Sequence, residues 1–292
     1  MTAWLAIARS AHFAAACMLF GLTAFSFYVR VRGEGAEPSG RLLRVLAGLA
    51  AATTALVLGA AAANMTGDVS ALASPTAIWD VVQGTVFGQV WGLRLLLALA
   101  VLGLALRRRP WDGVMAIGSA LLLVTIAFSG HSRMQSGALG WAHVFADALH
   151  LMAAGAWIGG LLALLLALRL RRLGREGVAA GVLEQFSGMG YYAVAVLVLT
   201  GVLKSWLLVG GPGGLFATPY GWVLDAKLVL FAGMGALALS NRLWITPALE
   251  ARPDDPSLWL HRLRRQVTLE FALGLLVLAA AGLLGALEPP VS

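Results

Sequence analysis

Apolar runs of about 18 residues or more recur along this chain from end to end, each long enough to cross a hydrocarbon core of about 30 Å as a helix. They leave no stretch in which a folded soluble domain would fit. With 60% hydrophobic and 12% charged residues among 292, the chain is too apolar for a water-soluble fold of its size. Alternating strand patterns are absent, so helices rather than a barrel must satisfy the backbone in lipid. The expected fold is an all-α polytopic membrane protein with about eight spans, over residues 3–29, 41–64, 86–107, 112–130, 141–169, 185–209, 221–245 and 263–287. The first run begins at Trp4 without a basic leader and reads as a retained helix rather than a cleaved signal. Cys17 is the single cysteine, which excludes an internal disulfide or a CxxC site.

The net charge of +7 is distributed as a topology signal, not as a nucleic-acid surface. Arg30, Arg32, Arg41 and Arg44, then Arg107 to Arg109, then Arg169 to Arg175, then Arg242, Arg252, Arg262, Arg264 and Arg265 fall in alternate loops. By the positive-inside rule those loops are cytoplasmic and both termini face outward. The outward loop between Thr66 and Thr85 is long enough for a short surface helix, and that between Gly210 and Tyr220 is rich in Gly and Pro.

Two stretches recur. Thr85-Val-Phe87-Gly88-Gln-Val90 with Arg94 opens the third span, and Thr218-Pro-Tyr220-Gly221-Trp-Val223 with Lys227 opens the seventh. His12 and His150 likewise share a frame, each three residues after a charge (Arg9, Asp147) and nine before a glycine (Gly21, Gly159). The offsets, 133 and 138, are those expected if spans 5 to 8 repeat spans 1 to 4. Four spans is an even number, so the repeats, residues 1–135 and 136–292, are expected to be parallel about an axis near the membrane normal.

Given this topology, Arg9, His12, Asn64, Arg94, His143, Asp147, His150, Lys204, Asp225 and Lys227 all fall in the outer half of the membrane. Intramembrane charges cost about 2.5–3.5 kcal/mol each on insertion scales, so they are expected to face a polar interior and pair there. His143, Asp147 and His150 share one helix face, where the carboxylate would fix a histidine tautomer and leave the other ring nitrogen for a ligand. Imidazole suits copper, zinc and haem iron, and thioether selects Cu(I). The candidate ligands are His12, His150, His143 and His131, with Met134 and Met65 as thioethers and Met18 and Met152 deeper. Arg9, Arg94, Asp147, Asp225 and Lys227 are expected to pair charges around them, Arg94 and Lys227 by neutralising Asp147 and Asp225 or by snorkelling. Glu270, nearer the cytoplasmic side, is expected to pair with a neighbouring helix terminus. No nucleophile-base pair, phosphate loop or zinc-protease motif is present, so a hydrolytic enzyme is not expected.

The stretch from His143 and His150 through Trp157-Ile-Gly-Gly-Leu resembles the copper resistance D (CopD) membrane proteins. So do, in order, Phe186-Ser187, Thr200-Gly201, Thr218-Pro219-Tyr220-Gly221, Lys227-Leu, Asn241-Arg242 and Pro247. The resemblance covers residues 140–250 well and the N-terminal half more loosely. It implies a multi-pass bacterial inner-membrane protein in the lipid bilayer that moves copper from periplasm to cytoplasm. It also implies a periplasmic copper-binding CopC-like partner, supplied separately. The alternatives are a haem b-binding electron carrier, which duplicated spans with paired histidines would also suit, and a copper-binding subunit without transport.

Overall fold

The computed structural model describes residues 2–31, 40–107, 112–129, 137–171, 176–251 and 257–291, and no strand occurs among them. Helix α1 covers Thr2–Val31 and α2 covers Gly40–Thr66. A 3₁₀ turn, Val69–Ala73, and a short helix α3, Pro75–Gly84, fill the long outward loop, as its length allowed. Helix α4 is Val86–Ala105, and α5, Asp112–Val124, runs on as a 3₁₀ segment, Thr125–Ser129. Helices α6 (Gly137–Arg171) and α7 (Glu176–Val209) are the longest. After the small helix α8 (Pro212–Phe216), α9 (Pro219–Ser240) passes through a π turn, Asn241–Ile245, into α10 (Thr246–Glu250), and α11 (Ser257–Leu284) follows.

Local chemistry fixes several of these boundaries. Thr85 caps α4 by accepting from the Gly88 N–H at 2.9 Å, and Thr218 caps α9 by accepting from the Gly221 N–H at 3.0 Å. Asp68 caps the 3₁₀ turn, accepting from the Ser70 N–H at 2.8 Å and from the Ser70 hydroxyl. Those Ser70 bonds hold its carboxyl below the usual range, so the cap persists into mildly acid solution. Pro247 cannot donate a backbone hydrogen bond and crowds the preceding turn, which the chain accommodates by widening Asn241–Ile245 into a π turn closed by the Thr246 N–H on the Asn241 carbonyl.

Among the described residues seven helices are long and apolar enough to cross a membrane, and the apolar stretch Gly113–Ser129 is shorter. Its 3₁₀ end rises faster per residue than an α-helix and brings its reach to about 28 Å, close to the hydrocarbon thickness. Helix α1 lies at the centre, packed on α2, α5, α6 and α11. The span Gly40–Thr66 is 67% buried and Pro219–Leu249 only 11%, so α2 is interior and α9 peripheral. Leu199, Val202 and Val229 point outward, as residues facing acyl chains do.

Since lipid is as apolar as leucine, the helices are held by close packing rather than by apolar burial alone. One such close approach is the crossing of α1 and α6. A Cβ on Gly159 would lie 2.4 Å from the Gly21 Cα, and one on Gly21 would lie 1.9 Å from the Gly155 carbonyl oxygen. The two glycines that follow the matched histidines by nine residues therefore touch each other. Gly21→Val is expected to lower the thermal midpoint of the purified protein by several degrees or prevent its isolation, overpacking costing about 1–3 kcal/mol or more. Gly48→Ala, where a Cβ meets nothing within 4 Å, should leave the midpoint unchanged or slightly raised.

Candidate metal centre

Two polar clusters lie in the outer halves of the helices, each built around one of the matched histidines. In the second half of the chain, α6 and α7 are joined by a ladder of two rungs. His150 Nδ1 meets Thr200 Oγ1 at 2.8 Å, and one turn outward Lys204 Nζ pairs with Asp147 Oδ1. The Thr200 hydroxyl has one hydrogen, which it donates to the Val196 carbonyl at 2.6 Å. It therefore accepts from His150, which places the imidazole hydrogen on Nδ1 and leaves the Nε2 lone pair to bind a metal. Tyr220 and Lys227 are within electrostatic reach of Asp147, and Lys227 of Lys204, so the cluster also draws on α9.

The first half repeats the device with other residues. His12, fully buried, places Nδ1 3.2 Å from Thr53 Oγ1 and 3.3 Å from Thr54 Oγ1 on α2. Those hydroxyls donate to the Leu49 and Ala50 carbonyls at 2.6 and 2.7 Å, so each acts as an acceptor toward the ring. Nδ1 again carries the hydrogen, and Nε2 is buried without a hydrogen-bond partner among the described residues. The His12 ring sits 5.1 Å from that of Trp91 on α4, and the Arg94 guanidinium lies 3.9 Å from the Trp91 ring centre.

The comparisons with known proteins agree with this architecture. Residues 1–141 match the family model for the copper resistance protein D-like N-terminal domain, and residues 180–284 match copper resistance protein D. The chain is similar to copper resistance protein D of Pseudomonas syringae pv. tomato, 32% identical over 93% of this chain and 92% of that one. The chain belongs to the copper resistance protein D family. It is also 32% identical to inner membrane protein YebZ of Escherichia coli (strain K12) over 73% of this chain and 72% of that protein. The copper transport protein CutJ of Bacillus subtilis (strain 168) is 28% identical over 94% of this chain but only 51% of its own length. Together with the spanning helices, these relatives make the chain a multi-pass inner-membrane protein.

Within this CopD-type framework the expected site residues fall into separate groups. His12 bonds toward α2 and His150 toward α7, so the two rings face different helix pairs. His143, also buried, precedes His150 by seven residues, about 10 Å farther out along the same face of α6. Met65 is exposed at the outward end of α2, and His131 and Met134 lie outside the described residues. Asp225 and Lys227 are half-buried on α9. Among the described residues no three of His, Cys, Asp and Glu gather closely enough to hold a metal ion.

The two arginines serve helix ends. Arg94 donates from Nε to Thr125 Oγ1 at 2.9 Å, and from Nη2 to the Thr125 carbonyl and to Ser129 Oγ at 3.0 Å. It thus closes the outward C-terminus of α5, where a helix dipole favours a cation. Arg9 does the same for α11, donating to the Gly285 carbonyl. Neither forms an ion pair with a carboxylate among the described residues; the partner of Asp147 is Lys204. Glu270, 1% exposed, accepts from the Trp157 indole at 2.9 Å and, at the C-terminal end of α9, from the side-chain amide of Asn241 at 3.4 Å.

Thr53 and Thr54 were not singled out by sequence reasoning, and Thr200 and Trp157 entered only through the family resemblance, without their partners His150 and Glu270. The available signal was hydroxyl residues amid Ala- and Leu-rich spans, where a histidine elsewhere needs a partner. Arg94→Leu is expected to cost about 1–3 kcal/mol, read as a lowered thermal midpoint in detergent, because it strands three half-buried acceptors. Arg94→Lys should restore only part of that, an ammonium being unable to span the same fork. An unchanged midpoint in the leucine variant would show that α5 needs no such cap.

Proposed function

We propose that this copper-handling membrane protein carries copper inward, from the periplasm to the cytoplasm, through an outward-facing set of histidines. The observation that carries the reading is the twin tautomer: threonine hydroxyls hold His12 and His150 with hydrogen on Nδ1 and present Nε2 as a donor. The relatives named copper resistance protein D and copper transport protein CutJ support the choice of metal. In this reading His131, Met134, Met65 and His143 collect the ion at the outer surface, from a periplasmic CopC-like protein where one is present. His150 and His12 then hold it deeper, with Asp147, Asp225, Lys227, Arg9 and Arg94 setting the local charge.

The cationic surroundings suit passage rather than storage. Lys204 and Lys227 outnumber Asp147 near His150, and Arg94 lies beside the Trp91 ring that His12 touches. A copper ion is held there by imidazole nitrogen against a positive field, and an ion that must leave again is best bound weakly. The matched histidines, matched threonine caps and mutually touching Gly21 and Gly159 support a further part of the reading. Residues 1–135 and 136–292 would be parallel repeats about a two-fold axis through the glycine crossing, since equivalent positions meet only on such an axis.

Purified protein with His12→Ala and His150→Ala together should bind copper below wild-type stoichiometry; full stoichiometry would overturn the assignment. Thr200→Val, which removes the tautomer-fixing hydroxyl, should weaken copper binding by about 10–100-fold with little change in folding. Only neutral imidazole binds a metal, so affinity should fall as the solution is acidified. Radioactive copper supplied to proteoliposomes should accumulate inside; binding without accumulation would identify a binding subunit instead.

A further inference from the structure

At the end of the molecule that the arginine-rich loops mark as cytoplasmic, a groove of about 570 Å³ opens between the π turn after α9 and the first turns of α11. Arg262, Arg265, Trp259 and Gln266 line it from α11, and Ser240, Trp244 and Ile245 from the other side. Positive charge and tryptophan are expected at this depth in any inner-membrane protein. Here they surround a concavity, and several of their polar atoms are unused.

Arg262 and Arg265 are three residues apart on one face of α11, and among the described residues no acidic one lines the groove with them. The Arg262 guanidinium rests 4.7 Å from the centre of the Trp259 ring, which orients it without occupying its N–H groups. Trp259 Nε1 and Gln266 Oε1 are buried without a hydrogen-bond partner among the described residues. Gln266 is held from its other end, where Nε2 donates to Ser240 Oγ at 3.3 Å, so Oε1 is a fixed acceptor. The widened backbone of the π turn directs Ile245, 3% exposed, into the protein while Trp244, 66% exposed, faces the lipid. With Leu269 it offers an apolar wall that continues from the polar groove into the membrane.

We propose that this groove binds an anionic phospholipid of the inner leaflet whose headgroup carries a hydroxyl, phosphatidylglycerol being the simplest. The phosphate lies between Arg262 and Arg265 and accepts from the Trp259 indole. The headgroup hydroxyl donates to Gln266 Oε1, and an acyl chain runs along Trp244 and Leu269. The phosphate and the headgroup hydroxyl thus each meet a buried atom that has no partner among the described residues, and basic pockets between spanning helices on the cytoplasmic side are suited to such headgroups.

The test is native mass spectrometry of the full-length protein, released from detergent after incubation with equimolar phosphatidylglycerol and phosphatidylcholine. The wild type should retain phosphatidylglycerol selectively. Arg262→Gln with Arg265→Gln should reduce that preference by about thirtyfold, the factor two cations contribute at an anionic lipid surface. Arg262→Lys with Arg265→Lys should keep it within about threefold. Equal retention of the two lipids by the wild type would overturn the proposal without recourse to any variant, as would an undiminished preference in the glutamine pair. Inorganic phosphate at tens of millimolar should not displace the lipid. Displacement would make this a free-phosphate site and would also overturn the proposal.

Discussion

Hydrocarbon offers no hydrogen bond, and that single fact determines which helices of this protein lie side by side. Every ionisable group within the spans must find its partner on another helix or remain uncompensated at a cost of kilocalories. The partners found here are specific. Arg94 of α4 closes α5, Arg9 of α1 closes α11, Lys204 of α7 holds Asp147 of α6, and Trp157 of α6 donates to Glu270 of α11. Outside the glycine crossing of α1 and α6, large apolar side chains facing lipid tolerate several rotations of a helix, whereas each of these bonds exists at one rotation only. The polar residues thus specify the arrangement that the leucines and alanines then fill.

The two halves use this constraint differently. Around His12 the charges are arginines that terminate helices, and their positive ends face carbonyls and hydroxyls. Around His150 a carboxylate takes the position that Arg9 holds in the first half, and a lysine comes from α7 to meet it. What is kept in common is the contact between a histidine on the first helix and threonine hydroxyls on the second. The contact common to these two otherwise different surroundings is therefore the one that sets a ring tautomer.

The spans were legible in the sequence because hydropathy and helix length answer to the same hydrocarbon thickness. Residues 86–107 were expected and Val86–Ala105 is observed, with Thr85 as its cap. Helix α7 begins at Glu176, nine residues before its expected start, because hydropathy marks where a helix enters lipid and not where it begins in water. The 3₁₀ end at Thr125–Ser129 was hidden for another reason, since it depends on Arg94 reaching its carbonyl from a different helix. Pairing was the least legible property. Asp147 and Arg94 lie at similar depth, yet Asp147 meets Lys204, because the rotation of α6 against α7 is fixed by the whole bundle.

The same rotation bears on how strongly a metal could be held. With Lys204 on one Asp147 oxygen, the carboxylate is committed to a charge partner, and the imidazole nitrogens remain as the neutral donors nearby. A cluster that gathered carboxylate, imidazole and thioether around one point would bind copper tightly and release it slowly. Histidines held apart on separate helix pairs, each beside a fixed positive charge, would in the proposed reading provide separate and shallow wells. In the transport reading that spacing is the useful property, because a cargo moves only between sites none of which it prefers too strongly.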